Sequence, residues 1–188
     1  LVRFPIVDNE GQGIWARVAT LDAGENRGSF FRPEIDDEVI VGFINGNPKD
    51  AIVLGMMNSS AKPAPITASD DNHEKGFVTR SEMKVIFNDD DISMTLETPN
   101  GNKMVISDAD GGIKLEDENG NFIEMNSEGI TIESATAINY KSGTDTTIES
   151  GTNLDIKAGT QLKAEGAAGA EVSTGAIAIL KGSLVQIN

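Results

Sequence analysis

The sequence predicts an all-β fold in two parts, a small barrel followed by a longer repetitive β-segment. Apolar and polar residues alternate over short runs, turns rich in Gly, Asn and Asp separate the runs, and no window favours a useful amphipathic helix. Between Ile130 and Val172 the alternation settles into a period of eight residues. A fixed period of this kind is typical of stacked, repetitive architectures.

Composition narrows the classes of function that the chain can serve. The 188 residues include no Cys and one His, which excludes disulfides and thiolate metal sites and fits synthesis in a reducing cytoplasm. A net charge of −15 argues against binding nucleic acid or anionic lipid through a basic face. No apolar run approaches the ~20 residues of a membrane-spanning helix. The chain opens without Met or a signal peptide, and we expect it to be a fragment that begins inside a strand.

Residues 1–57 are predicted to form a small barrel of the OB type. Five short apolar or β-branched runs, separated by turn residues, fit its five strands. The run Val39–Ile44 is nearly all apolar, so we expect a strand buried on both faces, and Asn45–Gly46 after it predicts a hairpin turn. Trp15 is interpreted as a barrel residue rather than a stacking platform for nucleic acid.

Composition changes after the barrel, and we place a linker or neck at residues 58–80. Its run Ser59–Pro65 is rich in Ser, Ala and Pro and is unsuited to packing or to a helix. Residues 81–188 are predicted to be the repetitive needle, because alternation such as Ile92-x-Met94-x-Leu96 continues from about Lys84 onward.

The octad repeat defines the predicted interior of the needle. Two apolar positions and one small corner residue recur every eight residues, and the corners are Ala135, Gly143, Gly151, Gly159, Ala167 and Gly175. The pattern resumes one residue out of step near the C-terminal end. The predicted core residues are Ile130, Ile132, Ile138, Tyr140, Ile148, Leu154, Ile156, Leu162, Val172, Ile177 and Ile179.

Eight residues make one strand and one corner, so three strands give a triangular cross-section. One chain coiling with about 24 residues per rung satisfies this spacing, and so do three chains wound together. The modest inward residues Thr146, Ala164 and Ala170 favour a narrow core shared by three copies. We therefore expect an intertwined trimeric β-helix, a homotrimer of net charge about −45, three times −15.

The chain resembles a known family over nearly its whole length. Arg27–Phe31, Asp37–Phe43 and Val53–Gly55 resemble the OB domain of the valine–glycine repeat spike proteins (VgrG) and of phage baseplate assembly protein V. The segments Arg80–Asp91 and Glu97–Asn121 resemble the start of the needle in the same proteins. Asp36 and Ala51 depart from the family pattern, which more often has Gly and Pro there.

The resemblance implies a structural, membrane-puncturing spike of a contractile injection machine, either a type VI secretion apparatus or a phage-tail-like particle. It implies a homotrimer attached to tail-tube and baseplate hub proteins, carrying secreted effectors, with no cofactor and no catalytic residue. The spike would assemble in the bacterial cytoplasm and leave it with the particle. A cap protein of the PAAR type is expected to contact the tip residues Leu184, Val185, Gln186, Ile187 and Asn188.

Two other functions remain open from the residues. A tailspike-like glycan hydrolase would need paired carboxylates across a groove, whereas the acidic residues here fall on predicted turns and outward positions. A passive adhesin fibre would need an exposed aromatic tip, which the last residues do not offer. His73 lies in the linker, where it is a poor candidate for a general base, and Asp108–Gly112 lacks the closing Glu of a calcium loop.

Overall fold

The computed structural model describes residues 1–5 and 10–187. Within them the chain forms twelve β-strands and one short 3-10 turn, and none of these residues forms an α-helix. The all-β prediction is therefore confirmed. Where the structure describes the chain, it contains no helix with the length and apolarity needed to cross a membrane. Two compact units are present, residues 1–138 and residues 139–188.

The N-terminal part of the first unit is built on a three-stranded sheet. Its strands are β1 (Arg17–Val18), β4 (Glu38–Phe43) and β5 (Ala51–Met57), with β5 parallel to β1 and antiparallel to β4. A separate hairpin pairs β2 (Ala23–Gly24) with β3 (Arg27–Gly28), and an isolated bridge joins Val2 to Ile14.

The core of this part lies on the inner face of β5. Ala51 and Val53 are 4% and 2% exposed, and they are the only buried apolar residues that the structure describes. Val53 pairs with Val18 on one side and Val41 on the other, which places three β-branched residues together. The predicted turn after β4 is confirmed, since Asn45 and Gly46 both take the left-handed conformation.

Two expectations for the barrel are wrong for the single chain. The strand after Asp37 is not buried on both faces, because Ile40 and Phe43 are exposed. Trp15 is 82% exposed and lies between the Val2–Ile14 bridge and β1, outside any regular strand. A packing prediction based on residue type alone misses both, because it assumes that every apolar side chain finds its cover within its own chain.

The second part of the first unit is a seven-stranded antiparallel meander, in which each strand pairs with the next along the chain. Its strands are β6 (Glu74–Val78), β7 (Lys84–Asn88), β8 (Ser93–Glu97), β9 (Lys103–Ser107), β10 (Gly112–Glu116), β11 (Phe122–Asn126) and β12 (Gly129–Glu133). Strand β6 lies within residues 58–80, which the sequence predicts to be linker or neck. Its sequence Glu-Lys-Gly-Phe-Val is too short and polar to show alternation, and pairing with β7 makes it a strand.

Most turns of the meander follow the predicted Gly, Asn and Asp residues. Gly101, Gly111, Gly120 and Gly129 each supply a positive φ between consecutive strands. Between β7 and β8 that role falls to Ile92, which has φ 48° and is exposed. Ile92 is therefore a turn residue and not the first inward residue of its strand.

The second unit contains no regular strand pairing among its described residues, 139–187. The chain nevertheless bends at all five corners that the octad predicts here, from Gly143 to Gly175, as it does at Ala135 in the first unit. Ser142 and Ser150, one octad apart, each donate a hydrogen bond from Oγ to the carbonyl three residues on, at 2.8 and 2.6 Å. The period of eight is thus a structural period, with corners fixed by small residues and hydroxyl groups.

Candidate association surface

One face of the meander is lined by two rows of apolar side chains. Each row crosses the strands in register, and the two rows are two residues apart along every strand, so they lie on the same face. The first row is Phe77, Val85, Leu96, Met104, Leu115, Ile123 and Ile132. The second row is Phe87, Met94, Ile106, Ile113, Met125 and Ile130.

The opposite face is mostly polar, and it carries ion pairs both between neighbouring strands and within a strand. One row reads Lys84, Glu97, Lys103 and Glu116 across four strands, so that opposite charges alternate. Lys84 Nζ lies 3.6 Å from Glu97, and Lys114 Nζ lies 2.6 Å from Glu116. Hydrogen bonding to Glu116 raises the pKa of Lys114 above its ordinary value. This face is suited to water.

The apolar face is open in the single chain. A groove of about 880 Å³ follows the first row and is lined by all seven of its members and by Ile138. Ile132, for example, is 47% exposed. The chain exposes 16895 Å², whereas a globular monomer of 19.9 kDa exposes about 8,700 Å² by the usual size scaling. The apolar face therefore lacks a covering layer. Such a layer would be strongly favourable, because fully burying each aliphatic side chain is worth about 1.5–3 kcal/mol.

A polar junction ends the meander and starts the repeat. Asn121 Oδ1 accepts hydrogen bonds from Ser134 Oγ at 2.7 Å and from the Ala135 amide at 3.1 Å. Asn121 Nδ2 donates to Asp117 at 2.7 Å, and the Asn121 and Asn119 amides also donate to that carboxylate. These bonds, led by the Asn121 side chain, hold the pKa of Asp117 below its ordinary value of 3.8. Sequence reasoning missed this junction.

The predicted core residues divide between the two units. Ile130 and Ile132 lie on the apolar face of β12, and Ile138 lines the groove. The remaining core residues are exposed in the second unit, in the segments between the bends; they are Tyr140, Ile148, Leu154, Ile156, Leu162, Val172, Ile177 and Ile179. Their role as a trimer core stays a prediction, because contact between copies is what would bury them.

The roles predicted for the corner glycines and for the tip residues also remain predictions. Gly143, Gly151 and Gly159 have no atom within 4 Å of the place where a Cβ would stand, and none has a positive φ. Any contact that requires a small residue at these corners would have to come from other chains. At the tip, Leu184, Val185 and Ile187 are exposed, whereas Asn188 lies outside the described residues.

No grouping of three His, Asp or Glu side chains within residues 1–5 and 10–187 is placed to hold a metal ion. His73 contributes its backbone carbonyl to the meander, accepting from the Asp89 amide at 3.0 Å. Asp89 pairs with Lys75, whose hydrogen bond holds the pKa of that carboxyl below its ordinary value.

The fold and the apolar face together define a class, all-β proteins that complete their core by self-association. The family model described as the type VI secretion system/phage-baseplate injector OB domain matches residues 1–57. The model described as the phage baseplate V C-terminal trimerisation domain matches residues 93–188, about half of the chain. The chain belongs to the phage baseplate V family.

Curated relatives share part of the chain. The type VI secretion system spike protein VgrG3 of Vibrio cholerae is 38% identical over 74 residues, which are 39% of this chain and 7% of that protein. VgrG1a of Pseudomonas aeruginosa, a spike protein of the same system, is 34% identical over 73 residues, 39% of this chain and 11% of its own length. The actin cross-linking toxin VgrG1 of Vibrio cholerae is 35% identical over 74 residues, 39% of this chain and 7% of that protein. The match thus spans about a tenth of these relatives or less.

Replacing Asn121 by Ala should destabilise the junction between meander and repeat. The change removes the acceptor for Ser134 and Ala135 and the donor to Asp117. Loss of a network of this kind lowers the free energy of unfolding by about 1–3 kcal/mol. Thermal unfolding monitored by circular dichroism would measure this change. The control is Asn100→Ala in the turn before β9, an exposed residue whose side chain makes none of the hydrogen bonds described here. Equal effects of the two variants would contradict the role of Asn121.

The junction should also make stability depend on pH below about 4. Because the pKa of Asp117 is lower in the folded chain than in the unfolded one, its contribution is complete above 3.8 and is lost as pH falls through the lowered value. Asp117→Asn should flatten the acid limb of a plot of unfolding rate against pH. Asp155→Asn, in the repeat, should leave that limb unchanged. A wild-type slope in the Asp117 variant would refute this assignment.

Proposed function

We propose that this chain is part of the structural central spike of a contractile injection machine and that it works as a homotrimer without catalysis. The apolar face of the meander is the observation that carries the proposal. Three copies of that face, turned toward a common axis, would bury both rows and leave the polar faces in water. The match to a trimerisation domain over residues 93–188 supports three copies.

In the repeat, the backbone as well as the side chains would find its partners in other copies. The structure describes no strand ladder among residues 139–187. Backbone donors and acceptors that become buried must find partners, and strands of two other copies would supply them. In this proposal each chain contributes one strand per octad and the three chains intertwine. The product would resist unfolding, since no strand can leave without breaking contacts to its neighbours.

The proposed role of the spike is mechanical. Tail-tube and baseplate hub proteins would hold its OB end, contraction would drive it through the target envelope, and secreted effectors would travel with it. A PAAR-type cap would cover the tip at Leu184–Asn188. The spike would assemble in the bacterial cytoplasm and become extracellular with the particle. The names of the relatives as type VI secretion spike proteins support this assignment.

The trimer can be tested with a matched pair of lysine substitutions on β12. Ile132→Lys places a charge on the apolar face, where burial of three ammonium groups would cost several kcal/mol each. Thr131→Lys adds the same charge on the opposite face, across from Glu124. We expect wild type and Thr131→Lys to sediment as three chains, about 60 kDa or three times 19.9 kDa. Ile132→Lys should shift the mass toward one chain.

A monomeric wild type would overturn the trimer, and a trimeric Ile132→Lys protein would show that this face lies elsewhere. Glycan depolymerisation by the wild-type trimer would favour the hydrolase alternative instead.

The cap contact requires a separate test. Leu184→Asp should abolish binding of a PAAR-type cap protein, because a carboxylate would replace an exposed apolar side chain at the tip. Thr160→Asp adds the same charge at an exposed corner away from the tip and should leave binding intact. Co-elution with the cap in size-exclusion chromatography is the readout. If both variants retain the cap, it contacts another part of the spike.

A further inference from the structure

The OB part carries a second exposed apolar surface, on the segment Thr20–Asp37, named here the collar loop. Phe30 and Ile35 are 84% and 90% exposed, and Leu21 is exposed as well. The loop is nonetheless held by its own hydrogen bonds and ion pairs. The Ser29 amide donates to the Asp22 carbonyl at 2.9 Å, and Arg27 pairs with Asp22 at 2.7 Å.

A second turn holds the end of the collar loop. The Asp37 amide donates to the Glu34 carbonyl at 3.2 Å, and the Glu34 amide donates to Asp37 Oδ2 at 2.8 Å. The Glu34 amide, and after it Lys62, hold the pKa of the Asp37 carboxyl below its ordinary value. Ile35 lies at the centre of this turn, so its exposure belongs to a fixed conformation.

Three contacts attach the collar loop to the neck and the first strand of the meander. Phe31 stacks on Phe77 with ring centres 5.1 Å apart and planes 14° from parallel. Arg80 Nη1 lies 2.9 Å from Glu34, and Lys62 donates to the Asp36 carbonyl at 2.8 Å. Phe77 is the first member of the first apolar row. The collar loop therefore continues the proposed trimer surface beyond the edge strand β6.

The stacked pair does not complete its own burial. Phe31 and Phe77 are both still exposed, and Phe30 and Ile35 flank the contact in sequence. The collar loop has five acidic and two basic residues, which disfavours an anionic lipid surface as the partner. The Phe31–Phe77 stack joins the loop to the first apolar row, which runs into the matched trimerisation domain. A second copy of this chain is the occupant that these observations favour.

We propose that the collar loop is a contact between protomers, in which Phe30 and Ile35 of each copy pack against the loop and the Phe77 edge of the next. Three such loops would close the OB end of the apolar interior and keep water out of it. This inference rests on the proposed trimer, but it concerns residues outside the matched trimerisation domain.

Single-cysteine cross-linking tests the inference, since the chain contains no Cys. The probes are Phe30→Cys and Ile35→Cys, each treated with a short bismaleimide and separated under denaturing conditions. Ile132→Cys reports the proposed interior, and Thr131→Cys, on the opposite face of β12, is the negative control. Around a three-fold axis one linker joins two of the three chains, so the product is a two-chain band. We expect this two-chain band for both collar variants and for Ile132→Cys, and we expect no such band for Thr131→Cys.

The outcomes separate the collar from the trimer. Cross-linking at Ile132 but at neither collar position overturns the collar and leaves the trimer standing. Cross-linking at the collar positions but not at Ile132 supports the collar and contradicts the proposed packing of β12. No cross-linking at any of these positions overturns both. As a second measurement, the double variant Phe30→Ser and Ile35→Ser should stay trimeric and unfold about tenfold faster than wild type, whereas an unchanged rate contradicts the collar.

Discussion

The apolar face of the meander is the constraint on which the rest of the structure depends. Period-two alternation over seven strands places thirteen apolar side chains on one side of a single sheet. A sheet with one apolar face needs a second layer to cover it, and the described chain supplies none for these rows. Its own buried apolar core is limited to Ala51 and Val53. In the proposed trimer, contacts between chains supply the hydrophobic stabilisation that the described chain lacks.

Dependence on partners increases along the chain. In the meander each strand pairs with its sequence neighbour, so the backbone is largely satisfied locally and only side chains need cover. After Asn139 the described chain lacks even the backbone ladder, although its corners are in place. Local pairing closes short loops at low entropic cost, whereas pairing between chains must also overcome the entropy of association. The meander is thus suited to form first and to bring three chains together before the repeats intertwine.

Sequence reasoning succeeded where the signal is periodic and local. The octad gave the bends at every predicted corner, and alternation together with Gly, Asn and Asp residues gave most turns of the meander. It failed where a residue's role is set by a distant partner. Strand β6 has almost no alternation and exists through its pairing with β7. The Arg80–Glu34 ion pair joins positions 46 residues apart, and nothing in the local sequence marks it.

The exposure of Trp15 shows a related limit of sequence reasoning. Hydropathy indicates that a side chain should be buried but does not indicate by which chain. In a monomer a side chain can be covered only by its own chain, whereas in an obligate assembly it can also be covered by another chain. The predicted burial of Ile40, Phe43 and Trp15 fails in the single chain, which leaves all three exposed. The same exposure that corrects the monomer prediction supports the existence of an interface.

The net charge of the chain opposes association through the apolar face. Three copies bring together about −45, and like charges at short range repel. At physiological ionic strength screening acts over about 8 Å, so only charges on adjacent strands and chains contribute strongly. On the polar face of the meander the alternation of Lys84, Glu97, Lys103 and Glu116 makes those nearest neighbours attractive. The excess of acid thus favours repulsion between separate assemblies, while the local pattern of charge stabilises neighbouring strands within one chain. Attraction between neighbouring strands of one sheet, combined with repulsion between whole assemblies, disfavours indiscriminate aggregation through an exposed apolar face.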